Sequence, residues 1–286
     1  MKSIIEKLEK SYENIEEMNP LTHCITNFVT VNDCANAVLA VGASPIMADD
    51  ADEVEEIVEI ADVLVINIGK LSKVQIAAIE TACNYASQTN TPIVLDPVGC
   101  GISNLRNETT LKIIKDYDVT AIRGNMSEVK AIAKLLGIFN DDFVKAKGVD
   151  VSSSDVISHS NLKENASIVK EVALKSGSLV IASGPIDIIS DGEVMIAIEN
   201  GDEMMERITG SGCMLSSIVG SFIACNDALI GGISASLIMS IAGENAREYV
   251  NSNDLGTGTF RSKLIDNLYK LKHDEIKEKG NIYEIN

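Results

Sequence analysis

The chain has 286 residues, 45% of them hydrophobic and 23% charged, which suffices for one large domain with a substantial buried core. Asp and Glu number 42 against 24 Lys and Arg, a formal net charge of −18. A surface that negative repels phosphate backbones and anionic headgroups, so nucleic acid and membrane surfaces are excluded as natural partners.

The first 20 residues carry the period of a charged amphipathic helix and no apolar h-region, unlike a signal peptide. Short apolar runs over 44–47, 63–68, 93–95, 119–122 and 179–182 predict buried strands. Helical periods over 52–60, 74–87, 105–115 and 127–136 separate them. The alternation argues an α/β fold with a mostly parallel central sheet and helices on both faces. Aromatic residues make up only 4%, with no Trp, so Ile, Val, Leu and Ala are expected to build that core.

The polar, serine-rich segment 145–161 has no period and predicts a long surface loop. Runs over 186–190 and 194–198 flank Asp191-Gly192, a two-residue hairpin signal. Three helical stretches close the chain, over 214–224, 228–250 and 260–271. No linker or internal repeat divides it, so a single domain over 1–286 is expected. The apolar runs are interrupted by Gly or Ser before reaching spanning length. Six cysteines without a CxxC pair fit a reducing cytoplasm, and Cys24 beside His23 makes no metal site alone.

In an open parallel sheet, ligands bind beyond the carboxyl ends of the strands. Those ends carry Asn67-Ile-Gly69, Asp96-Pro-Val-Gly99-Cys100-Gly101, Arg123-Gly-Asn125-x-Ser127-Glu128 and Ser183-Gly184. Any one of them is ordinary turn chemistry; together they make a candidate site. Asp96 and Glu128 end two strand-turn units and could reach a shared Mg²⁺, through waters. Arg123 can grip phosphate bidentately.

Thr209-Gly210-Ser211-Gly212-Cys213 stands directly before an apolar helix, where small residues let an anion approach free N–H groups. It is neither a Walker A loop nor a dinucleotide fingerprint. Cys213 in the first helical turn is expected to gain thiolate character from the dipole and amides. It reads as a covalent nucleophile or as a proton acceptor and substrate contact. A nucleophile would want a histidine, and His23, His159 and His273 sit in no matching motif, which favours the second reading. A metal, a cation with amides, and an acceptor held in line are what phosphoryl transfer requires.

The runs Asn19-Pro-Leu-x-His-x-Ile-Thr-Asn27, Gly42-Ala-Ser-Pro-x-Met47, Leu95-Asp-Pro-Val-Gly-x-Gly101, Arg123-Gly-Asn-x-Ser-Glu128, Gly210-Ser-Gly-Cys213 and Gly256-x-Gly-x-Phe260-Arg261 resemble the hydroxyethylthiazole kinase family, in the same order along most of the chain. The resemblance implies a ribokinase-like fold and a homotrimer with sites at subunit interfaces. It implies phosphorylation of 5-(2-hydroxyethyl)-4-methylthiazole by Mg-ATP, a thiamine salvage step. By motif match it implies Asp96 and Glu128 for Mg²⁺, and Arg123, Ser183 and Gly212 for ATP. Met47, Gly210, Asn27 and Gly69 are implied for the thiazole, and Cys213 stands where other ribokinase-like kinases carry an Asp base. Ser183-Gly184-Pro185 departs from the family's frequent Thr-Gly-Glu, losing a carboxylate and an N–H donor.

Overall fold

The computed structural model describes residues 2–139, 155–271 and 273–286. In chain order, α1 (Lys2–Met18), β1 (Leu21–Ile25), α2 (Val31–Ala40), β2 (Ser44–Ile46), α3 (Val54–Ile60) and β3 (Val63–Asn67) form the first third. Next come α4 (Lys73–Thr89), β4 (Ile93–Asp96), α5 (Asn104–Asp116), β5 (Val119–Asn125), α6 (Met126–Leu135), α7 (Leu162–Ser176) and β6 (Leu179–Ser183). The hairpin β7 (Asp187–Ser190) and β8 (Met195–Ile198) precedes α8 (Ser211–Cys225), α9 (Ala228–Ser252), α10 (Thr257–Lys270), α11 (His273–Lys279) and β9 (Ile282–Glu284).

Among the described residues the strands form one sheet in the order β2-β1-β3-β4-β5-β6-β7-β8-β9. The six strands β1–β6 run parallel, and β7, β8 and β9 extend the sheet antiparallel. This is the expected mostly parallel α/β architecture. Side chains alternate across it: Val63 and Val65 join the core with α1, α2, α8, α9 and α10. Leu64 and Ile66 join the opposite core, with α3 to α7. Both faces are covered, which is why these strands read as unbroken apolar runs rather than alternating ones.

Local chemistry sets the helix ends. Ser72 and Ser103 accept the Gln75 and Arg106 amides at the starts of α4 and α5, and Asp227 does the same for Ile230 in α9. Asn90 and Gly177 close α4 and α7 in the left-handed region. Helix α9 is long and apolar enough to cross a membrane by length and composition, yet 78% of its apolar window is buried inside the fold. It packs against α1, α8 and α10, so its hydrophobicity is spent on the core.

Two expectations need correction, the hairpin turn and the end of β5. The hairpin turn spans 191–194, because Ser190 pairs with Met195. Asp191 Oδ1 accepts both the Glu193 and Val194 amides at 2.9 Å, an aspartate-bracketed turn that a two-residue loop has no room for. The segment 145–161 lies largely outside the described residues; its described end, 155–161, has no helix or strand and is mostly exposed, with Ile157, 1% exposed, packed over Gly184. Strand β5 continues past 122 to Asn125, because Arg123 and Asn125 pair with Ile181 and Ser183 of β6. Strands β1 and β9 and helices α2, α7 and α11 fall outside the predicted elements. β1 hides its character by burying Thr22 and His23, which bond Ser221 Oγ and Ala48 O at 2.8 Å.

Gly231 marks the tightest crossing of α9 over α8. A Cβ there would sit 2.9 Å from Ile223 N and 3.0 Å from its Cα, both backbone atoms. Gly231→Ala gains about 1 kcal/mol of helix propensity but incurs overpacking at the upper end of about 1–3 kcal/mol, because the atoms it meets are backbone and cannot rotate away. Urea unfolding is therefore expected to show a lower midpoint for Gly231→Ala. Gly258→Ala in α10, with nothing within 4 Å, should leave it unchanged or raised. Equal stability of Gly231→Ala and the parent would contradict this packing.

Candidate active site

The parallel register brings the strand ends to one edge. Asn67 is opposite Asp96 across β3 and β4, and Asn125 opposite Ser183 across β5 and β6. Beyond that edge, α8 begins, and a cavity of about 610 Å³ opens between them. Asp96, Arg123, Glu128, Ser183, Gly210, Gly212 and Cys213 all line it.

Two glycines bring the start of α8 this close. Gly210, its N-cap, has φ +88°, and a Cβ would approach Thr30 Cγ2 to 2.7 Å. At Gly212 a Cβ would meet Arg123 Nη1 at 2.7 Å. The first helical acceptor is the Gly210 carbonyl, bonded by Met214 N at 2.8 Å. The amides of Ser211, Gly212 and Cys213 thus precede the helical ladder and lie at its positive end.

Arg123 is held in plane by Ser183, whose Oγ accepts from Nε at 3.1 Å and from Nη2 at 2.8 Å. Asp96 is 1% exposed and bonded through Oδ2 to Asn67 Nδ2 at 2.8 Å and Ser216 Oγ at 2.7 Å. Burial pushes its carboxyl up to about 6, against the pull of Arg123. Glu128 completes a capping box at the start of α6. Its Oε2 accepts Asn125 N and its Oε1 accepts Gly99 N, both at 2.8 Å, which ties the turn after β4 to the turn after β5. Among the described residues no group of three or more His, Cys, Asp or Glu is gathered as a metal site.

Cys213 departs from expectation. Burial, and then the nearby Asp96 carboxylate, push its thiol up rather than down. The helix start does not prevail because Sγ is turned inward, 3.2 Å from Asn67 Nδ2 and 3.5 Å from Asn27 Nδ2. A thiol in that setting is a poor free nucleophile and a reasonable hydrogen-bond partner for a neutral alcohol.

The remaining candidates lie around the cavity rather than on its wall. Asn27 touches Cys213 and Asn67, and Gly69 N donates to Asn67 Oδ1 at 2.8 Å. Met47 follows the edge strand β2 and packs against the core; it does not line the cavity. Two contributors had no sequence signal. Arg106 Nη1 donates to Ile68 O at 2.6 Å and Nη2 to Gly69 O at 3.0 Å, fixing the turn after β3 from α5. Asp187 on the cavity wall accepts Gly184 N at 3.0 Å, and burial raises its carboxyl to about 6.

A sequence model of the hydroxyethylthiazole kinase family matches residues 12–274. A hydroxyethylthiazole kinase of Methanobrevibacter smithii is 57% identical over 279 residues, covering 98% of this chain and 97% of its own. Hydroxyethylthiazole kinase 2 of Methanosphaera stadtmanae is 50% identical over 282 residues, 99% of this chain and 100% of its own. The solved hydroxyethylthiazole kinase protein from Pyrococcus horikoshii superposes with a TM-score of 0.84 at 34% identity, each chain covered in full. Pyridoxal kinase from Staphylococcus aureus shares the fold alone, with a TM-score of 0.53 at 14% identity over 78% of this chain and 88% of its own. With a full-length fold match and the strand-end motifs gathered on one cavity, the chain belongs to the hydroxyethylthiazole kinase family.

Proposed function

We propose that the protein transfers the γ-phosphoryl group of ATP to the primary hydroxyl of 5-(2-hydroxyethyl)-4-methylthiazole, giving the thiazole phosphate and ADP in thiamine salvage. The observation that carries this reading is the meeting of the α8 amides with Arg123 and Asp96 across one cavity. Phosphoryl transfer has a loose transition state with charge spread over the equatorial oxygens, so positioned donors supply most of the rate.

In this reading Ser211–Cys213 amides and Arg123 take the phosphates. Ser183 keeps the guanidinium flat against them; its hydroxyl replaces a frequent threonine, while Pro185 leaves that turn without a third N–H donor. Cys213, as a thiol, accepts a hydrogen bond from the substrate hydroxyl and orients it, and the proton leaves late to an oxygen of the transferred phosphoryl group. Asn27 and Gly69 shape the floor behind the sulfur.

Asp96 and Glu128 would hold Mg²⁺. The donor set fits: hard carboxylate oxygens on a wall that also bears Asp187, Asp202, Glu203 and Glu206 against the single Arg123, leaving negative charge to be neutralised. When bound, Mg²⁺ would offset charge on the phosphate oxygens. With only two carboxylates assigned, the rest of its shell would come from water and phosphate oxygens.

The homotrimer is part of the proposal. Met47 stands away from the cavity, and Phe28 and Val29, 68% and 56% exposed, follow β1 at the same sheet edge. A neighbouring subunit seated there would bring its own Met47 to the site. A monomer mass in sedimentation would remove this part. A reducing cytoplasm fits the six free cysteines, and one sheet through the described residues supports a single domain over 1–286.

ADP release with Mg-ATP is expected to be stimulated by hydroxyethylthiazole and not by hydroxymethylpyrimidine or ribose; no stimulation by any alcohol, with ATP bound, would sink the reading. Cys213→Ser is expected to lower kcat by about 10- to 100-fold and leave measurable turnover, since positioning dominates. Complete loss of turnover with ATP binding intact would show the sulfur to be indispensable and contradict its modest role.

A further inference from the structure

Asn67 ends β3 and is 1% exposed, buried between the two halves of the site. Its side-chain amide has four partners. Oδ1 accepts Gly69 N at 2.8 Å and Asn27 Nδ2 at 3.4 Å. Nδ2 donates to Asp96 Oδ2 at 2.8 Å and to Cys213 Sγ at 3.2 Å. The orientation is fixed by chemistry: a backbone N–H can only donate, so Oδ1 must face Gly69, and both amide hydrogens then fall on Asp96 and Cys213.

We infer that Asn67 is a positioning residue for phosphoryl transfer, locking the Asp96 carboxylate and the Cys213 sulfur into one fixed relation; this rests on the kinase reading above. The two ends of the reaction are otherwise on different elements, Asp96 on β4 and Cys213 on α8. Ser216 also bonds Asp96 Oδ2, at 2.7 Å, but its other bond goes back to Gly212 O and not to the sulfur. Asn67 alone bonds both groups directly.

Two consequences follow for the reacting groups. With its two donors on Oδ2, the Asp96 carboxylate is held in one rotation, with Oδ1 left for the cation and phosphate side. Asn67 Nδ2 and Asn27 Nδ2 both donate to Sγ, at 3.2 and 3.5 Å, with Asn67 the shorter bond, so the sulfur is held at the cavity that Cys213 lines. A displacement of about 1 Å between aligned reacting groups costs on the order of 100-fold in rate. The pocket also restricts what can replace asparagine. Aspartate would present an acceptor to Asp96 in place of the amide donor, and at Gly69 a Cβ would crowd Oδ1 at 2.8 Å, so the amide also depends on that glycine.

The test compares Asn67→Ala, Asn67→Ser and Ser216→Ala with the parent. Mg-ATP affinity is read by calorimetry without acceptor, and kcat with the thiazole alcohol at saturating Mg²⁺. Both Asn67→Ala and Ser216→Ala are expected to weaken Mg-ATP binding several-fold. Only Asn67→Ala is expected also to lower kcat, by about 100-fold, with Asn67→Ser between it and the parent. Unchanged Mg-ATP affinity in Asn67→Ala, or a kcat equal to that of Ser216→Ala, would overturn the inference. Thermal melts check folding; if the alanine variant fails to fold, Asn67→Ser carries the same two readouts. A parent without thiazole-dependent turnover would instead remove the kinase reading, while the calorimetric arm still tests the Asn67–Asp96 link.

Discussion

The site depends on how closely the first turn of α8 approaches the ends of the parallel strands. That approach requires the absence of side chains at two positions. At Gly210 the backbone is left-handed and Thr30 occupies the space of a Cβ; at Gly212 the Arg123 guanidinium does. A residue with a side chain at 210 would incur about 1–2 kcal/mol from the backbone alone and would push α2 away. The glycines therefore act by making room. With them in place, helix amides, the arginine and a buried aspartate face one cavity, and each supplies part of what a migrating phosphoryl group needs.

Charge is the second constraint. A chain of net charge −18 that binds a polyanion must do so through local donors rather than long-range attraction. Arg123 and the first turn of α8 share the cavity wall with Asp96 and Glu128, so local donors stand among the carboxylates. Burial holds Asp96 up to about 6, so its ionised form is favoured by a cation brought with the nucleotide. The same inward setting raises the Cys213 thiol, which separates this sulfur from the reactive cysteines of covalent catalysis.

Much of this was legible in the sequence, for physical reasons. Strands covered on both faces must be apolar throughout, so β3, β4 and β6 declared themselves, and the class of fold with them. The strand-end motifs are legible because turns that approach a ligand need Gly, Asn and Asp. What stayed hidden was long-range and polar. β1 buries Thr22 and His23 on partners 199 and 25 residues away. Arg106 reaches from α5 to carbonyls 37 and 38 residues back, and no periodicity encodes that. The inward turn of Cys213 was invisible for the same reason: a helix position is read from sequence, but the Asn27 and Asn67 partners that set the sulfur's direction belong to other elements.

The most direct measurement of the central claim is ³¹P NMR of the purified protein with Mg-ATP and hydroxyethylthiazole, following where the γ-phosphorus goes. The expected result is a new phosphomonoester resonance coupled to methylene protons, growing in step with ADP. Growth of inorganic phosphate alone would show transfer to water, and would contradict a cavity built to hold an alcohol in line with ATP.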